Sequence, residues 1–129
     1  MKLTTLFSIY AVVAVVFCIG LLGAPGFWIT LYGAQPDPQA VVLVRLVGAV
    51  FGGFAVMSWL GRNADPSLSR DAMVLGITVT NVLAAFVSIA TALSGVYNQF
   101  AWGPVGVFAL LGIGFAIATR SGASAPRAC

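Results

Sequence analysis

Histidine and glutamate are absent from this chain of 129 residues, and the only acidic side chains are three aspartates. Without histidine the chain has no usual axial haem ligand, no histidine-based metal site and no imidazole to activate a serine or cysteine nucleophile. A proton-coupled transporter needs a titratable carboxylate or imidazole inside the membrane, whereas the aspartates lie near the ends of apolar segments. We therefore expect no catalytic activity, no bound metal and no obligatory cofactor.

Charge of either sign is scarce. Charged residues make up 7% of the chain and hydrophobic residues 60%, whereas a soluble domain carries about 25% charged residues. The composition therefore predicts a small integral membrane protein with membrane lipids as its surroundings. The six basic residues are dispersed along the chain, so they form no basic patch and we expect no nucleic-acid partner.

The two cysteines, Cys18 and Cys129, are far apart and indicate no disulfide framework. The apolar run at residues 6–22 is longer than the roughly 7–15 residues of a signal-peptide core, and no A-x-A cleavage site follows it. We interpret this run as a retained transmembrane helix rather than as a signal peptide.

Four segments reach the length of about 20 mainly apolar residues that a membrane span needs; they are residues 6–23, 40–60, 73–93 and 100–119. In lipid such segments must be helices, because every backbone polar group needs a partner. The short connections predict an all-α bundle of four transmembrane helices with up-down-up-down topology. We assign residues 1–119 to this domain and residues 120–129 to a disordered tail. The sequence "GFWITLYG" between spans one and two predicts a short interfacial helix.

Two Asp-Pro pairs predict where the second and third spans begin. Asp37 precedes Pro38, and Asp65 precedes Pro66. Aspartate is a preferred helix N-cap, and proline is favoured at the first helical position. We therefore expect both helices to begin a few residues before their apolar cores.

The basic residues outside the spans all fall on one side of this four-span arrangement; they are Lys2, Arg62, Arg70, Arg120 and Arg127. The positive-inside rule then predicts a multi-pass protein of the bacterial inner (plasma) membrane with both termini in the cytoplasm. Aromatic residues typical of an interfacial belt lie on the opposite side; they are Trp28, Tyr32, Tyr97 and Trp102. Trp59 marks the inner boundary of the second span.

Arg45 stands in the apolar run "VVLVRLVGAVFGG". It lies about 7–8 Å below the start of the second span at 1.5 Å per residue. Its side chain can extend towards the outer surface, so the cost is below the roughly 2.5–3.5 kcal/mol of a central position. We expect the guanidinium to contact an acceptor there: Asp37 of its own or a neighbouring chain, a loop carbonyl or an anionic headgroup. A structural bond inside the bundle, a cofactor, a partner subunit and a gating role are the alternatives.

Small residues form faces on three of the predicted spans. The face of span three also holds the polar Asn81, followed by Ala84, Ala85, Ser88 and Ala92, while span two has Gly48 and Gly52, and span four has Gly112 and Ala116. Small side chains allow helices to approach closely. We expect spans two and three to make the closest contacts, within the bundle or to a partner helix. A lining for a bound lipid, quinone or pigment is the alternative.

The layout resembles small bacterial four-helix inner-membrane proteins of unknown function. The resemblance rests on "GFWITLYG" after the first span and "RLVGAVFGG" in the second, followed by a basic loop. It implies a fold and a location, and no activity. Our first hypothesis is a non-catalytic accessory, stabilising or assembly subunit of a larger membrane complex, bound to other membrane subunits or to itself. The alternatives are a small oligomeric transporter or channel with a polar pathway involving Arg45 and Asn81, and an enzyme acting on lipid.

The predicted orientation can be tested with single cysteines. We expect a cysteine at position 35 or 98 to react with a membrane-impermeant thiol reagent added outside the cell, because both connections lack the basic residues that stay in the cytoplasm. A cysteine at position 63 should react only after the cells are permeabilised. Cytoplasmic labelling of position 35 or 98 would contradict the predicted topology.

Overall fold

The computed structural model describes residues 2–123 and consists of helices. These are α1 (Leu3–Gly23), α2 (Pro25–Leu31), α3 (Pro38–Gly61), α4 (Leu68–Leu93) and α5 (Trp102–Ala123), with a 3-10 turn at Gln99–Ala101. Four of them, α1, α3, α4 and the helix that ends the described chain, are long and apolar enough to cross a membrane. The predicted all-α four-helix fold is confirmed, and the predicted short helix is α2.

The predicted tail starts too early in the sequence. Helix α5 continues through Ala123, so residues 120–123 are helical rather than disordered. The rest of the predicted tail, with Arg127 and Cys129, lies outside the described residues. The helix continues because its last residues, Arg120 among them, include no proline, and a cation in the last turn interacts favourably with the helix dipole.

The two predicted helix starts have different outcomes. At α3 the Asp37 side chain accepts a hydrogen bond from the backbone N–H of Ala40 at 2.8 Å, and Pro38 takes the first helical position. The same prediction for Asp65 and Pro66 is wrong. Ser67 caps α4 instead, since its Oγ accepts from the N–H of Arg70 at 3.2 Å. Serine is as good an N-cap as aspartate, and here it stands next to the first helical residue.

The four long helices form two antiparallel pairs. Helix α1 packs along α3 and helix α4 packs along α5, whereas the contacts between the pairs are fewer. The end of the bundle where α1 and α4 begin, and where α3 and α5 end, is called the terminal end below. It carries four basic residues, Lys2, Arg62, Arg70 and Arg120. The opposite end, with α2 and the connection before α5, is called the aromatic end.

The hydrophobic core lies towards the terminal end. Its buried members come from α1, α4 and α5; they are Leu6, Phe7, Tyr10, Val74, Ile77, Leu111 and Phe115. The ring of Phe115 is 5.4 Å from that of Phe7 and 5.6 Å from that of Tyr10, each in an edge-to-face arrangement. Such pairs contribute beyond their buried area, so this cluster joins the two helix pairs at one end of the bundle.

The predicted packing glycines of span two lie in helix contacts within the bundle. A Cβ placed on Gly48 would lie 3.0 Å from the Cβ of Leu21, and one on Gly52 would lie 3.1 Å from the sulfur of Cys18. Both neighbours are on α1. Span two, α3, therefore makes its close contacts within the bundle, with α1 rather than with span three. Residue spacing shows that a helix has a small-residue face, but it does not identify the helix that covers that face.

The small-residue face of α4 packs on α5. A Cβ on Gly112 would lie 3.5 Å from the Cβ of Asn81. Ala84 and Ser88 follow Asn81 on this face and are partly buried. The predicted face is thus real, and its covering helix is the next one along the chain.

Two glycines of α3 provide a matched test of the α1–α3 contact. We expect Gly48→Ala to lower stability by about 1–3 kcal/mol, the usual cost of overpacking, because the added Cβ also comes within 3.2 Å of the backbone nitrogen of Leu22. Gly53→Ala should not destabilise the protein, since nothing lies within 4 Å of the new Cβ and alanine is a better helix former. Thermal unfolding in mild detergent measures both. Equal melting temperatures for the two variants would contradict the close contact.

Candidate functional site

Helix α2 folds back against the end of α1 through its tryptophan. A Cβ on Gly20 would lie 2.6 Å from Nε1 of Trp28, so only glycine admits the indole in this position. The Trp28 ring also lies 5.6 Å from the ring of Phe17, which stacks on Phe51 at 5.1 Å. Phe51 in turn stacks on Phe108 at 6.4 Å. This row of aromatic rings runs across the bundle, from α2 through α1 and α3 to α5.

Asn98 ties the connection before α5 to the end of α2. Its Nδ2 donates to the carbonyl of Leu31 at 2.8 Å, and its backbone N–H donates to the carbonyl of Tyr32 at 3.1 Å. Its Oδ1 accepts from the N–H of Phe100 at 3.0 Å and so caps the 3-10 turn. Gly33 has a φ of +83°, a conformation that favours glycine, and a Cβ placed on it would lie 3.4 Å from Nδ2 of Asn98. Asn98 was not among the predicted site residues, because its contact with Leu31 spans 67 residues and leaves no local pattern in the sequence.

The larger of two cavities at the aromatic end lies between α1, α2 and α3. It has a volume of about 380 Å³, within the range of about 300–1,000 Å³ typical of small-molecule sites. Its polar or aromatic lining comes from Trp28, Tyr32, Gln35, Asp37 and Tyr97, and aliphatic side chains of α1 and α3 complete it. Three predicted interfacial anchors and Asp37 therefore share one site. We call it the α2 cavity.

The smaller cavity, of about 210 Å³, lies between α4 and the start of α5 and is lined in part by Ser88, Thr91 and Pro104. Tyr32 and Tyr97 line this cavity as well as the α2 cavity. Burial raises the pKa of the Tyr32 hydroxyl above its ordinary value of 10.0. The hydroxyl is therefore protonated at physiological pH and available as a hydrogen-bond donor.

The two remaining predicted anchors lie at opposite ends of the bundle, and each is half exposed. Trp102 begins α5 at the aromatic end. Trp59 lies at the terminal end, where the Arg62 guanidinium is centred 3.4 Å from the ring centroid and its Nη1 donates to the Trp59 carbonyl at 2.7 Å. A cation over an indole face is a stabilising arrangement. One tryptophan thus lies at each end of the bundle.

Arg45 points outward from α3. It is exposed, and it makes no hydrogen bond or ion pair with any residue from 2 to 123. Of the acceptors considered for Arg45, Asp37 of the same chain is not the one it contacts. The Asp37 carboxylate binds the start of its own helix, two turns away from Arg45. An acceptor for this guanidinium has to come from outside the described chain.

Asn81 lies in the core, with 1% of its surface exposed. Its Nδ2 donates to the carbonyl of Ile77 at 2.8 Å, while its Oδ1 has no partner in the described part of the chain. The Tyr10 phenol lies beside this amide. Neither Asn81 nor Arg45 lines either cavity described above. The structure does not bring the two residues of the predicted polar pathway together.

Within residues 2–123, no three histidine, cysteine, aspartate or glutamate side chains lie close enough together to hold a metal ion. Comparison with protein-family models, curated proteins and solved structures gives no match to this chain. The resemblance to small bacterial four-helix membrane proteins thus stays a prediction. The α2 cavity and the outward position of Arg45 are the two features of the structure that bear on function.

The Asn98 contacts can be tested by separating their two side-chain bonds. We expect Asn98→Ala to lower the unfolding free energy by about 1–3 kcal/mol, because it removes the donor to Leu31 and the acceptor for Phe100. Asn98→Asp keeps the acceptor and should cost less. Gln99→Ala, at the neighbouring exposed position, is the control. If Asn98→Ala and Gln99→Ala have the same melting temperature, Asn98 does not hold the two connections together.

Proposed function

We propose that this protein is a small non-catalytic membrane protein that serves as an accessory, stabilising or assembly subunit of a larger membrane complex. The proposal rests chiefly on Arg45, a cation on an outward apolar face that has no partner among residues 2–123. Its neighbours Val42 and Leu46 are 56% and 59% exposed. Such a face suits lipid or another helix, but the guanidinium needs hydrogen-bond acceptors in either setting.

A protein partner would lower the cost of holding Arg45 in the membrane. A charged side chain near the middle of a bilayer costs about 2.5–3.5 kcal/mol. Arg45 lies two turns into α3, so a long side chain can reach headgroup level. An acceptor from another subunit at that level would offset the remaining cost and fix the position of the two chains.

The surface beside Arg45 also permits a close approach. Ala49 and Gly53 follow at intervals of four residues, on the same outward face of α3. Both are exposed, and nothing lies within 4 Å of a Cβ placed on Gly53. Small residues at this spacing let a second helix pack against the backbone, with a polar acceptor opposite the arginine. The partner is another membrane subunit or a second copy of this chain.

We further propose that the membrane is the bacterial inner membrane and that both termini are cytoplasmic. The support is the segregation of charge. Lys2, Arg62, Arg70 and Arg120 gather at the terminal end, while the connections at the aromatic end have no basic residue. The positive-inside rule places such a basic end in the cytoplasm.

Native mass spectrometry after mild solubilisation tests the subunit proposal. We expect the wild-type protein to retain a protein partner that Arg45→Leu loses, and Arg45→Lys to keep part of it, since a point charge replaces a planar donor. The isolated Arg45→Leu variant, without a partner, should have a free energy of unfolding equal to or higher than that of the wild type. Wild type purifying as a pure monomer in every mild detergent tested would contradict the proposal.

Two exposed glycines supply a control for the helix face. Gly53→Leu should weaken the same association, because it fills the groove beside Arg45. Gly106→Leu, on α5, also meets nothing within 4 Å and should leave the association intact. If both variants assemble like the wild type, the α3 face points at lipid.

A further inference from the structure

We propose that the α2 cavity binds an amphiphile with a positively charged ammonium head and a hydrocarbon chain. The head would lie beside Asp37 and the aromatic side chains of Trp28, Tyr32 and Tyr97, and the chain would lie along the aliphatic wall. This inference is independent of the proposed subunit role, because it concerns a different face of the protein from Arg45.

The sign of the charge in the cavity selects the head group. Asp37 is the one acid in the lining, and no lysine or arginine accompanies it. Oδ1 of Asp37 accepts from the N–H of Ala40, whereas Oδ2 makes no hydrogen bond within residues 2–123. The carboxylate therefore keeps a free oxygen that can face a cation. An anionic head would meet this charge without a compensating partner.

The aromatic lining favours an ammonium group over a metal ion. Trp28, Tyr32 and Tyr97 line the same cavity as Asp37. Aromatic side chains combined with an acid recognise quaternary ammonium groups, because the ring faces attract a large, weakly hydrated cation. A hard divalent cation needs six or more oxygen ligands, and a single carboxylate with Gln35 does not provide them.

The aliphatic part of the cavity lining can hold the hydrocarbon chain. Leu21, Leu43 and Val44 line the cavity from α1 and α3. Leu43 is 63% exposed, so the cavity is bounded on this side by a residue that also faces outward. A chain can therefore enter sideways from the surrounding lipid while its head stays near the aromatic end.

Binding of decyltrimethylammonium to the full-length protein is the direct test. The fluorescence of Trp28 reports occupancy when the other two tryptophans are replaced in the background Trp59→Phe, Trp102→Phe. We expect saturable binding of this cation, weaker binding of decanol, which has the same chain without charge, and the weakest binding of decyl sulfate. Equal affinities for the cation and decanol, or tighter binding of the anion, would overturn the proposal.

Asp37→Asn removes the charge and keeps the helix start, because asparagine is as good an N-cap as aspartate. We expect it to weaken binding of decyltrimethylammonium about three- to tenfold, or about 0.7–1.4 kcal/mol, with decanol binding and the melting temperature unchanged. Asp65→Asn, an exposed acid at the terminal end, is the matched control and should bind like the wild type. Tyr97→Leu should also weaken binding of the cation more than that of decanol. An unchanged affinity in both cavity variants would show that Asp37 and Tyr97 do not form the site.

The natural source of the ammonium group is decided by a second measurement. Native mass spectrometry from vesicles of equal phosphatidylethanolamine and phosphatidylglycerol separates a lipid from a soluble amphiphile. Selective retention of phosphatidylethanolamine, lost in Asp37→Asn, would identify a lipid headgroup. Binding of decyltrimethylammonium without such retention would identify a soluble cationic amphiphile. Selective retention of phosphatidylglycerol would contradict a site for cations.

Discussion

Hydrocarbon offers no hydrogen-bond partner to a peptide group, and the architecture of this protein follows from that constraint. Each long apolar segment satisfies its own backbone by forming a helix. The helices gain little from the hydrophobic effect when they associate, since lipid is as apolar as their side chains. Close packing at small residues therefore carries the association. Gly48 and Gly52 serve this purpose between α1 and α3, and Gly112 does so between α4 and α5.

Because the helices associate in pairs, the two pairs are packed together less completely at the aromatic end than at the terminal end. The aromatic cluster of Phe7, Tyr10 and Phe115 joins the pairs near the terminal end. At the opposite end the pairs are joined instead by the connections, through the hydrogen bonds of Asn98 to α2. Side chains alone do not fill the space there. The two cavities are the result, and they lie where the chain has its only acid at that end and most of its interfacial aromatic residues.

Local patterns predicted what depends on neighbours in sequence. The Asp37 cap and Pro38, the four spans and the small-residue faces all follow from spacing and residue type. The partners of those faces did not follow, because Gly48 and Leu21 are brought together by the antiparallel pairing of whole helices. The contact of Asn98 with Leu31 was equally hidden, since it spans 67 residues. At the start of α4 the sequence pattern allowed two N-caps, because Asp65 and Ser67 are both good capping residues. Ser67, which is adjacent to the first helical residue, is the N-cap in the structure.

Tyr32 and Tyr97 each line both cavities. A rotation of either side chain would therefore change the space available in both. A molecule that held these side chains in one rotamer would change the free energy of filling the other cavity. Thermodynamic linkage would make that influence reciprocal and equal in size. Two compartments in different helix pairs would then be coupled through two side chains, without any movement of the helices themselves.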